Sequence, residues 1–183
     1  SALPTDHYLN VGMVGMHGNY GPNVLTNECD LLIAIGMRFD DRVTGNLESY
    51  AKQAKIIHME IDPAEINKNV ECDVPVIGNI KETIPLLLSM VNKNSHKKWL
   101  DKFNSFYDIE FKKVIDNEIN PTKKGLTMAE VIKEINNSTN GDAIIVTDVG
   151  QHQMVTCRYA KFNKSKSNVT SGGLGTMGFA LPA

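Results

Sequence analysis

The chain has 183 residues, of which 42 % are hydrophobic, and a formal net charge of −2. Such a small charge favours neither a nucleic acid nor a membrane surface as partner. No stretch is apolar over the roughly 20 residues that a membrane-spanning helix needs. The three cysteines lie far apart, as is typical of reduced thiols, and the five histidines show no ligand spacing. We therefore predict no metal site made by these side chains alone.

The chain opens with a glycine-rich segment. Gly15, Gly18 and Gly21 allow a tight turn or the close approach of a ligand to the backbone, which is a weak signal by itself. Pro22 suits the first turn of a helix that we expect to run through Glu28. The sequence does not start with methionine, and we expect it to begin inside a domain.

Residues 31–45 carry the strongest local signal. Leu31–Ile35 is an unbroken apolar run, which predicts a strand buried on both faces. Gly36 follows, and then Arg38 and Arg42. Ligands of open α/β sheets bind beyond the carboxyl ends of the strands, and arginine offers a planar fork for phosphate. The segment predicts a nucleotide site at a strand end; the alternative is a surface loop whose charges are merely solvated.

Two further strands follow at regular intervals. Residues 47–53 predict a short helix and residues 55–61 a second strand, whose Glu60 is a candidate acceptor for a ribose hydroxyl. Residues 62–65 have the pattern of a helix start. A third strand at 74–77 is followed by Gly78, by Asn79 as a helix cap, and by a helix to Met90 that Pro85 is expected to kink.

Strands that alternate with helices in this way are typical of the α/β class, with a doubly wound parallel sheet. We predict that residues 1–91 form the second half of a Rossmann-like domain. Three strands are fewer than the usual four to six or so. We therefore expect the first half of the domain upstream of the chain.

Residues 92–125 differ in character. Between 95 and 117, aromatic and aliphatic residues recur at helical spacing among many lysines. Such a stripe more often packs against a neighbouring domain than binds a cofactor. We predict a linker helix here, followed by a second domain at 126–183.

The second α/β unit contains two further glycine signals. A capping box at 127–130 and an apolar strand at 143–148 lead to a helix that begins near Gln151. A helix start beyond a strand offers free N–H groups to a phosphate, and Gln151 and His152 could add side-chain donors. The alternative for His152 is a capping or buried structural role. A glycine-rich turn at 168–178 follows, and we expect the chain to end in a truncated domain.

Two sets of motifs together resemble one enzyme family. The string Gly-Met-Arg-Phe-Asp-Asp-Arg-Val-Thr-Gly at 36–45, with Gly-Met-His-Gly at 15–18, resembles the FAD-binding central domain of acetohydroxyacid (acetolactate) synthase catalytic subunits. Val-Thr-Asp-Val-Gly-Gln-His-Gln-Met at 146–154 and Thr-Ser-Gly-Gly-Leu-Gly-Thr-Met-Gly at 170–178 resemble the start of their thiamine diphosphate domain. The motifs occur in family order, and the similarity is weakest over 92–140.

The resemblance implies an FAD that is bound in an extended form and takes no part in net redox chemistry. Carried over by matching position, the residues along the flavin are Gly15, Met16 and His17. Those along the ribityl chain and diphosphate are Gly36, Arg38, Asp40, Arg42 and Val43. Those around the adenosine are Glu60, Ile61, Gly78 and Asn79. The family usually has aspartate at the position of Asn79, which is a departure in this chain.

The resemblance also implies contacts to thiamine diphosphate. The matching residues are Val149, Gly150, Gln151, His152, Gly175 and Met177. Gly175 matches the glycine whose carbonyl accepts a hydrogen bond from the aminopyrimidine, and Met177 matches the bulky residue that bends the cofactor. Val155 replaces a common aromatic residue. The activating glutamate and the Mg²⁺-binding motif of the family lie outside these residues, so no catalytic or metal-binding residue is assigned.

The implied activity is the decarboxylation of pyruvate and its condensation with a second 2-keto acid, pyruvate or 2-ketobutyrate, in branched-chain amino-acid biosynthesis. The cofactors would be thiamine diphosphate, Mg²⁺ and FAD. The enzyme would be a cytoplasmic homo-oligomer that can bind a regulatory small subunit. These 183 residues alone would be inactive. The alternatives are another thiamine diphosphate enzyme, such as glyoxylate carboligase or pyruvate oxidase, and a non-catalytic nucleotide-binding module, which leaves the second glycine-rich turn unexplained.

Overall fold

The computed structural model describes residues 2–122 and 124–183, and contains two parallel sheets. The first has the order β1-β2-β3, and the second pairs β4 with β5. The strands are β1 (Leu31–Ile35), β2 (Lys55–Glu60), β3 (Val74–Ile77), β4 (Ile145–Thr147) and β5 (Asn168–Thr170). The predicted α/β class with parallel strands is confirmed. Positions 1 and 123, which fall within the predicted domain ranges, lie outside the described residues.

Helices connect and flank these strands. They are α1 (Tyr20–Thr26), α2 (Asp41–Thr44), α3 (Ile80–Met90), α4 (Lys97–Glu110), α5 (Asp116–Ile119), α6 (Met128–Thr139) and α7 (Gln151–Tyr159). A π-helical turn, Phe111–Ile115, joins α4 to α5. The predicted capping box at α6 is confirmed, because Thr127 Oγ1 accepts from the N–H of Glu130 and the Glu130 carboxylate accepts from the N–H of Thr127. No helix in the described part of the chain is long and apolar enough to cross a membrane.

Several predicted extents are wrong. Residues 47–53 form turns, and the helix lies earlier, at α2, because the Asp40 side chain accepts from the N–H of Arg42 and caps a helix start there. Residues 62–65 make only a 3₁₀ turn, with Asp62 capping it. The predicted strand at 143–148 is reduced to the three residues of β4. These short elements are decided by local hydrogen bonds more than by hydrophobic pattern.

The prediction that β1 is buried on both faces is also wrong. Leu32 and Ala34 point into a core, but Leu31, Ile33 and Ile35 on the opposite face are 43 to 47 % exposed. The described helices leave this second face open to solvent. The unbroken apolar run therefore identified the strand correctly but not the burial of its outer face.

Phe39 anchors the segment that follows β1. The residue is buried, and its ring packs edge-to-face against His58 and Tyr50, with centroid distances of 5.0 and 6.2 Å. Its φ of 51° lies in the left-handed region, which costs an L-residue about 1–2 kcal/mol. Burial of a large aromatic side chain contributes about 1.5–3 kcal/mol and offsets that cost. Phe39 thus anchors the loop that carries its neighbours Arg38 and Asp40.

Helix α4, which lies in the segment predicted to be a linker, packs against α1. The rings of Tyr20 and Phe106 meet edge-to-face at 5.1 Å, and a Cβ atom on Gly21 would lie 3.2 Å from Cβ of Phe106. The missing side chain of Gly21 therefore allows this close approach. The second unit has its own core, in which α6 and α7 contribute Ile132 and Val155, and the following residues contribute Ala160 and Phe162.

Candidate functional site

The carboxyl ends of β1, β2 and β3 lie at one edge of the first sheet. Ile35 pairs with Met59, and Glu60 pairs with Ile77, so that the strand ends are in step. The N–H of Gly36 donates to Met59 O, and the N–H of Gly78 donates to Glu60 O, each at 2.9 Å. The structure therefore brings together the residues predicted around the diphosphate and adenosine, which the sequence separates widely.

Gly36 faces open space at this edge. Its φ is 62°, and a Cβ atom built there would meet no atom within 4 Å. A glycine in this position lets a ligand approach the backbone closely. Asn79 lies beyond the neighbouring strand, where its Oδ1 accepts from the N–H of Lys81 at 3.0 Å and caps α3. The departure from aspartate therefore preserves a good helix cap.

Glu60 is buried and shapes the end of β2. Its Oε1 accepts from the N–H groups of Ile61 and Asp62 at 2.8 and 3.3 Å. This carboxylate therefore holds the turn that leaves the strand. A role as acceptor for a ribose hydroxyl stays a prediction.

Arg38 and Asp40 form an exposed ion pair in the loop that Phe39 anchors. Nε of Arg38 lies 3.3 Å from Oδ2 of Asp40, whose other oxygen accepts from the N–H of Arg42. Exposed pairs of this kind contribute about 0–1 kcal/mol at most. In the described residues, Arg38 pairs with Asp40 through its Nε alone, so the two terminal nitrogens of its guanidinium group remain for a ligand.

A cavity of about 270 Å³ lies between the Gly15 loop and α2. The N–H of Met16 donates to Arg42 O at 2.7 Å, and a Cβ atom on Gly15 would lie only 2.8 Å from the same oxygen. Glycine is therefore required at position 15. The cavity is also lined by Val43 and Tyr50. The residues predicted along the flavin thus lie beside those predicted along the ribityl chain, and His17 is exposed next to them.

Asn23 is a residue of this site that the sequence did not reveal. Its Oδ1 accepts from Gly15 N at 2.7 Å, and its Nδ2 donates to Gly15 O at 2.9 Å. Both backbone groups of Gly15 are thereby fixed from α1. An asparagine one residue after a helix-starting proline was the available signal, but asparagine at such positions is too common to be diagnostic.

The second site lies where β4 and β5 end side by side. Thr147 pairs with Thr170, so that the segments 148–152 and 171–178 leave the sheet at the same edge. Gly150 has a φ of 149° and directly precedes α7, whose first N–H groups are available to an anion. Gln153 is fixed by the bond from its Nε2 to Thr170 Oγ1 at 2.7 Å. The structure therefore brings the two predicted thiamine diphosphate segments together.

Asp148 joins these two segments and was not predicted. Its carboxylate accepts from the N–H groups of Gly178 at 2.9 Å, Phe179 at 3.1 Å and Val149 at 3.1 Å. Burial acts to raise the pKa of Asp148, but these three N–H groups and nearby His152 outweigh it and hold the pKa below its usual range. The sequence signal that could have identified Asp148 was its place, as an acidic residue, at the end of an apolar run.

Gly175 and Met177 lie in the turn that Asp148 holds. Gly175 has a φ of 63°, and a Cβ atom there would meet nothing within 4 Å. Ser171 stabilises the turn, because its carbonyl accepts from Gly175 N and its Oγ from Thr176 N, each at 2.9 Å. Met177 is 72 % exposed. A large apolar side chain in this position can contact a ligand directly.

Within residues 2–122 and 124–183, no group of three or more His, Cys, Asp or Glu side chains could hold a metal ion. The glycine-rich segments around Gly36 and Gly150 belong to different sheets. The arrangement therefore consists of two anion-compatible strand edges, each with a glycine at the end of a strand and helical N–H groups nearby.

Comparison with known proteins assigns these two edges to one family. Residues 1–87 match the model of the thiamine pyrophosphate enzyme central domain, and residues 148–183 match that of the C-terminal TPP-binding domain. The chain is 40 % identical over 189 residues to the acetolactate synthase large subunit of Buchnera aphidicola subsp. Schizaphis graminum, which covers all of this chain and 32 % of that protein.

Two further relatives give the same result. The chain is 43 % identical over 186 residues to the probable acetolactate synthase large subunit of Methanocaldococcus jannaschii, covering 99 % of this chain and 31 % of that protein. It is 42 % identical over 184 residues to the acetolactate synthase of Mycobacterium bovis, covering 100 % of this chain and 30 % of that protein. The chain thus spans about a third of the length of these relatives. Its two matched segments, in the order of the family's domains, show that the chain belongs to the thiamine pyrophosphate enzyme family.

Proposed function

We propose that this chain is part of an acetolactate synthase catalytic subunit, which decarboxylates pyruvate and joins the product to a second 2-keto acid, pyruvate or 2-ketobutyrate. The products would be acetolactate and acetohydroxybutyrate, intermediates of branched-chain amino-acid biosynthesis. The similarity to acetolactate synthase large subunits over the whole chain supports this reaction. The structural observation that carries it is the joining of segments 148–152 and 171–178 by Asp148.

At the second edge, thiamine diphosphate would supply the electron sink for decarboxylation. The start of α7, with Val149, Gly150, Gln151 and His152, would hold its diphosphate through backbone N–H groups. The carbonyl of Gly175 would accept from the aminopyrimidine, and the exposed side chain of Met177 would press against the cofactor and bend it. The Mg²⁺ ion would be bound by residues outside this chain.

At the first edge we propose a non-redox FAD. The glycine backbone at Gly36, the open space beside it and the cavity beside Gly15 fit an extended dinucleotide. Arg38 and Arg42 would bind the diphosphate, because a guanidinium matches two phosphate oxygens at once. Gly78 and the cap at Asn79 would lie at the adenosine end.

We also propose the division into a partial FAD domain at 1–91, a linker at 92–125 and the start of the thiamine diphosphate domain at 126–183. The full catalytic subunit would form a homo-oligomer that can bind a regulatory small subunit. The three cysteines are unpaired, which supports the reducing cytoplasm as its location.

The proposal is tested with the protein at its natural length, after thiamine diphosphate and Mg²⁺ have been removed by dialysis under conditions that leave FAD bound. We expect acetolactate to form from pyruvate only when thiamine diphosphate and Mg²⁺ are added, and the released chromophore to have the visible spectrum of FAD. The flavin should stay oxidised during turnover. Preferential consumption of glyoxylate, or reduction of the flavin by pyruvate, would instead indicate a glyoxylate carboligase or a pyruvate oxidase. The isolated 183-residue chain is expected to form no acetolactate.

A further inference from the structure

Arg158 connects the two candidate sites. It lies in the last turn of α7, the helix whose first residues belong to the second site. Its Nη1 donates to the carbonyl oxygen of Gly18 at 2.8 Å, and its Nη2 pairs with Oε1 of Glu110 in α4. The Arg158 side chain is 18 % exposed and that of Glu110 is 4 % exposed. The contact is therefore a largely buried, charge-assisted one rather than a surface pair.

Glu110 extends the connection to the start of α1. Its second oxygen, Oε2, accepts from the N–H of Tyr20 at 3.0 Å. Tyr159 completes the cluster, because its hydroxyl accepts from Nε of Arg158 at 3.0 Å and donates to the carboxylate of Glu118. Burial, followed by the hydrogen bond to Glu118, raises the pKa of Tyr159 to about 12, which keeps this hydroxyl protonated.

The contact at Gly18 reaches the first site through a tight loop. The N–H of Gly18 donates to Gly15 O at 2.9 Å, and a Cβ atom on Gly18 would lie 2.3 Å from Met13 O. Position 18 therefore has no room for a side chain, and the hydrogen bond ties the Gly18 backbone to Gly15. A displacement of the Gly18 carbonyl would be passed to Gly15 and Met16, which line the cavity.

On the other side, Arg158 and the second site share one short helix. The helix α7 has nine residues, Gln151–Tyr159. It is roughly 13 Å long at about 1.5 Å per residue. A helix of this length moves as a rigid unit, so the orientation of its last turn fixes that of Gln151 and His152.

We infer that Arg158 is a positioning residue that couples the two sites: a ligand that orders the loop from Gly15 to Gly18 also orders α7 and the residues at its start. This inference rests on the proposed function, because it takes FAD and thiamine diphosphate as the two ligands. Ordering by the first ligand reduces the entropy that the second must lose, which gives positive cooperativity without a change of fold. The coupling must be reciprocal.

The coupling is measured by isothermal titration calorimetry on the protein at its natural length. Thiamine diphosphate, with Mg²⁺ present, is titrated into the FAD-free protein and into the FAD-saturated protein. We expect its Kd to be lower with FAD by a factor of about 5 or more, as is typical of linked sites. FAD titrated in the presence and absence of thiamine diphosphate should give the same ratio.

Two variants and one control separate coupling from stability. Glu110→Gln combined with Arg158→Met removes both charges, so that no buried charge is left unpaired. Arg158→Lys keeps the charge but loses the fork that reaches Glu110 and Gly18 together. Lys102→Gln is the control. It breaks the exposed ion pair between Nζ of Lys102 and Oε2 of Glu28, which lie 3.1 Å apart. This pair also joins α4 to the segment between α1 and β1, but it contacts neither site.

The inference predicts a Kd ratio close to one in the double variant, a reduced ratio in Arg158→Lys and an unchanged ratio in Lys102→Gln. A purely structural role would lower the melting temperature and weaken both affinities without changing their ratio, and that result overturns the inference. A ratio of one in the unmodified protein, with both coenzymes bound, also overturns it but leaves the proposed function intact. Failure of the unmodified protein to bind either coenzyme overturns both. If circular dichroism shows the double variant unfolded, Arg158→Lys decides.

Discussion

The cavity beside Gly15 is held by backbone hydrogen bonds and by Asn23, whereas the turn that carries Gly175 and Met177 is held to its sheet by Asp148. The first site contains a cavity of about 270 Å³ lined by residues of this chain. The second exposes the side chain of Met177 to solvent. The comparison indicates that the geometry of the first site depends on close backbone packing and that of the second on the Asp148 carboxylate together with Ser171.

The largest expected effect follows from removing that carboxylate. Asp148→Ala leaves the N–H groups of Gly178 and Phe179 without their acceptor, so the turn with Gly175 should shift. We expect thiamine diphosphate-dependent turnover to fall roughly 100-fold, because a shift of the cofactor-binding groups by about 1 Å can cost that much in rate. FAD content, measured from the visible spectrum, should not change.

The control for Asp148→Ala is Asp142→Ala, which breaks the exposed pair with Lys164 at 2.5 Å in the same unit. It should leave turnover at the wild-type level. If Asp148→Ala retains full turnover, the comparison above fails.

A smaller effect is expected at the first site. In Gly15→Ala, the new Cβ atom would lie 2.8 Å from Arg42 O at a φ of 104°, so the loop must shift. We expect a loss of about 1–3 kcal/mol in unfolding free energy, measured in urea, together with loss of bound FAD. Thiamine diphosphate should still bind, with its affinity reduced only by the coupling through Arg158.

Gly125→Ala is the matched control for backbone strain. Gly125 has a φ of 120°, but a Cβ atom there meets nothing within 4 Å. It should lower stability by strain alone and retain FAD. Equal loss of FAD in both variants would show that close packing at Gly15 is not what holds the first site.

A third prediction concerns pH. The pKa of Asp148 is lowered in the folded state, so its contribution to stability is fully present above the carboxyl pKa of the unfolded chain, about 3.9. The contribution is lost as the pH falls from that value through the folded pKa. The ¹³C shift of the Asp148 carboxyl group should therefore titrate below about pH 3.9. A midpoint above this value would contradict the hydrogen-bonding account of the second site.

The smallest effect is expected at Arg38. Its pair with Asp40 is exposed, so Arg38→Gln should change the unfolding free energy by no more than about 1 kcal/mol. It should nevertheless weaken FAD binding, because the fork for the diphosphate is lost. Lys55→Gln breaks the exposed pair with Asp73 at 2.8 Å, at the opposite end of the sheet, and should leave FAD binding as it is. Equal FAD affinities in the two variants would remove Arg38 from the site.

Much of the local structure follows from short-range chemistry. The strands near Leu31, Lys55 and Val74 and the capping box at Thr127 were predicted, because apolar runs and caps act over a few residues. The prediction of a helix at 47–53 was wrong, because the cap that Asp40 provides starts the helix at Asp41 instead. Burial of β1 was wrong because the covering of a strand depends on distant elements.

The sequence by itself determined the family, the parallel α/β strands and the two glycine-rich edges, because motif strings and hydrophobic periods are properties of neighbouring residues. Only the tertiary structure decided which segments meet across those edges. Asn23 holds Gly15, Asp148 holds the turn before Phe179, and Arg158 bonds Gly18. Such contacts join residues that are distant in sequence, and they form only when helices and strands pack in one arrangement, which no local pattern specifies.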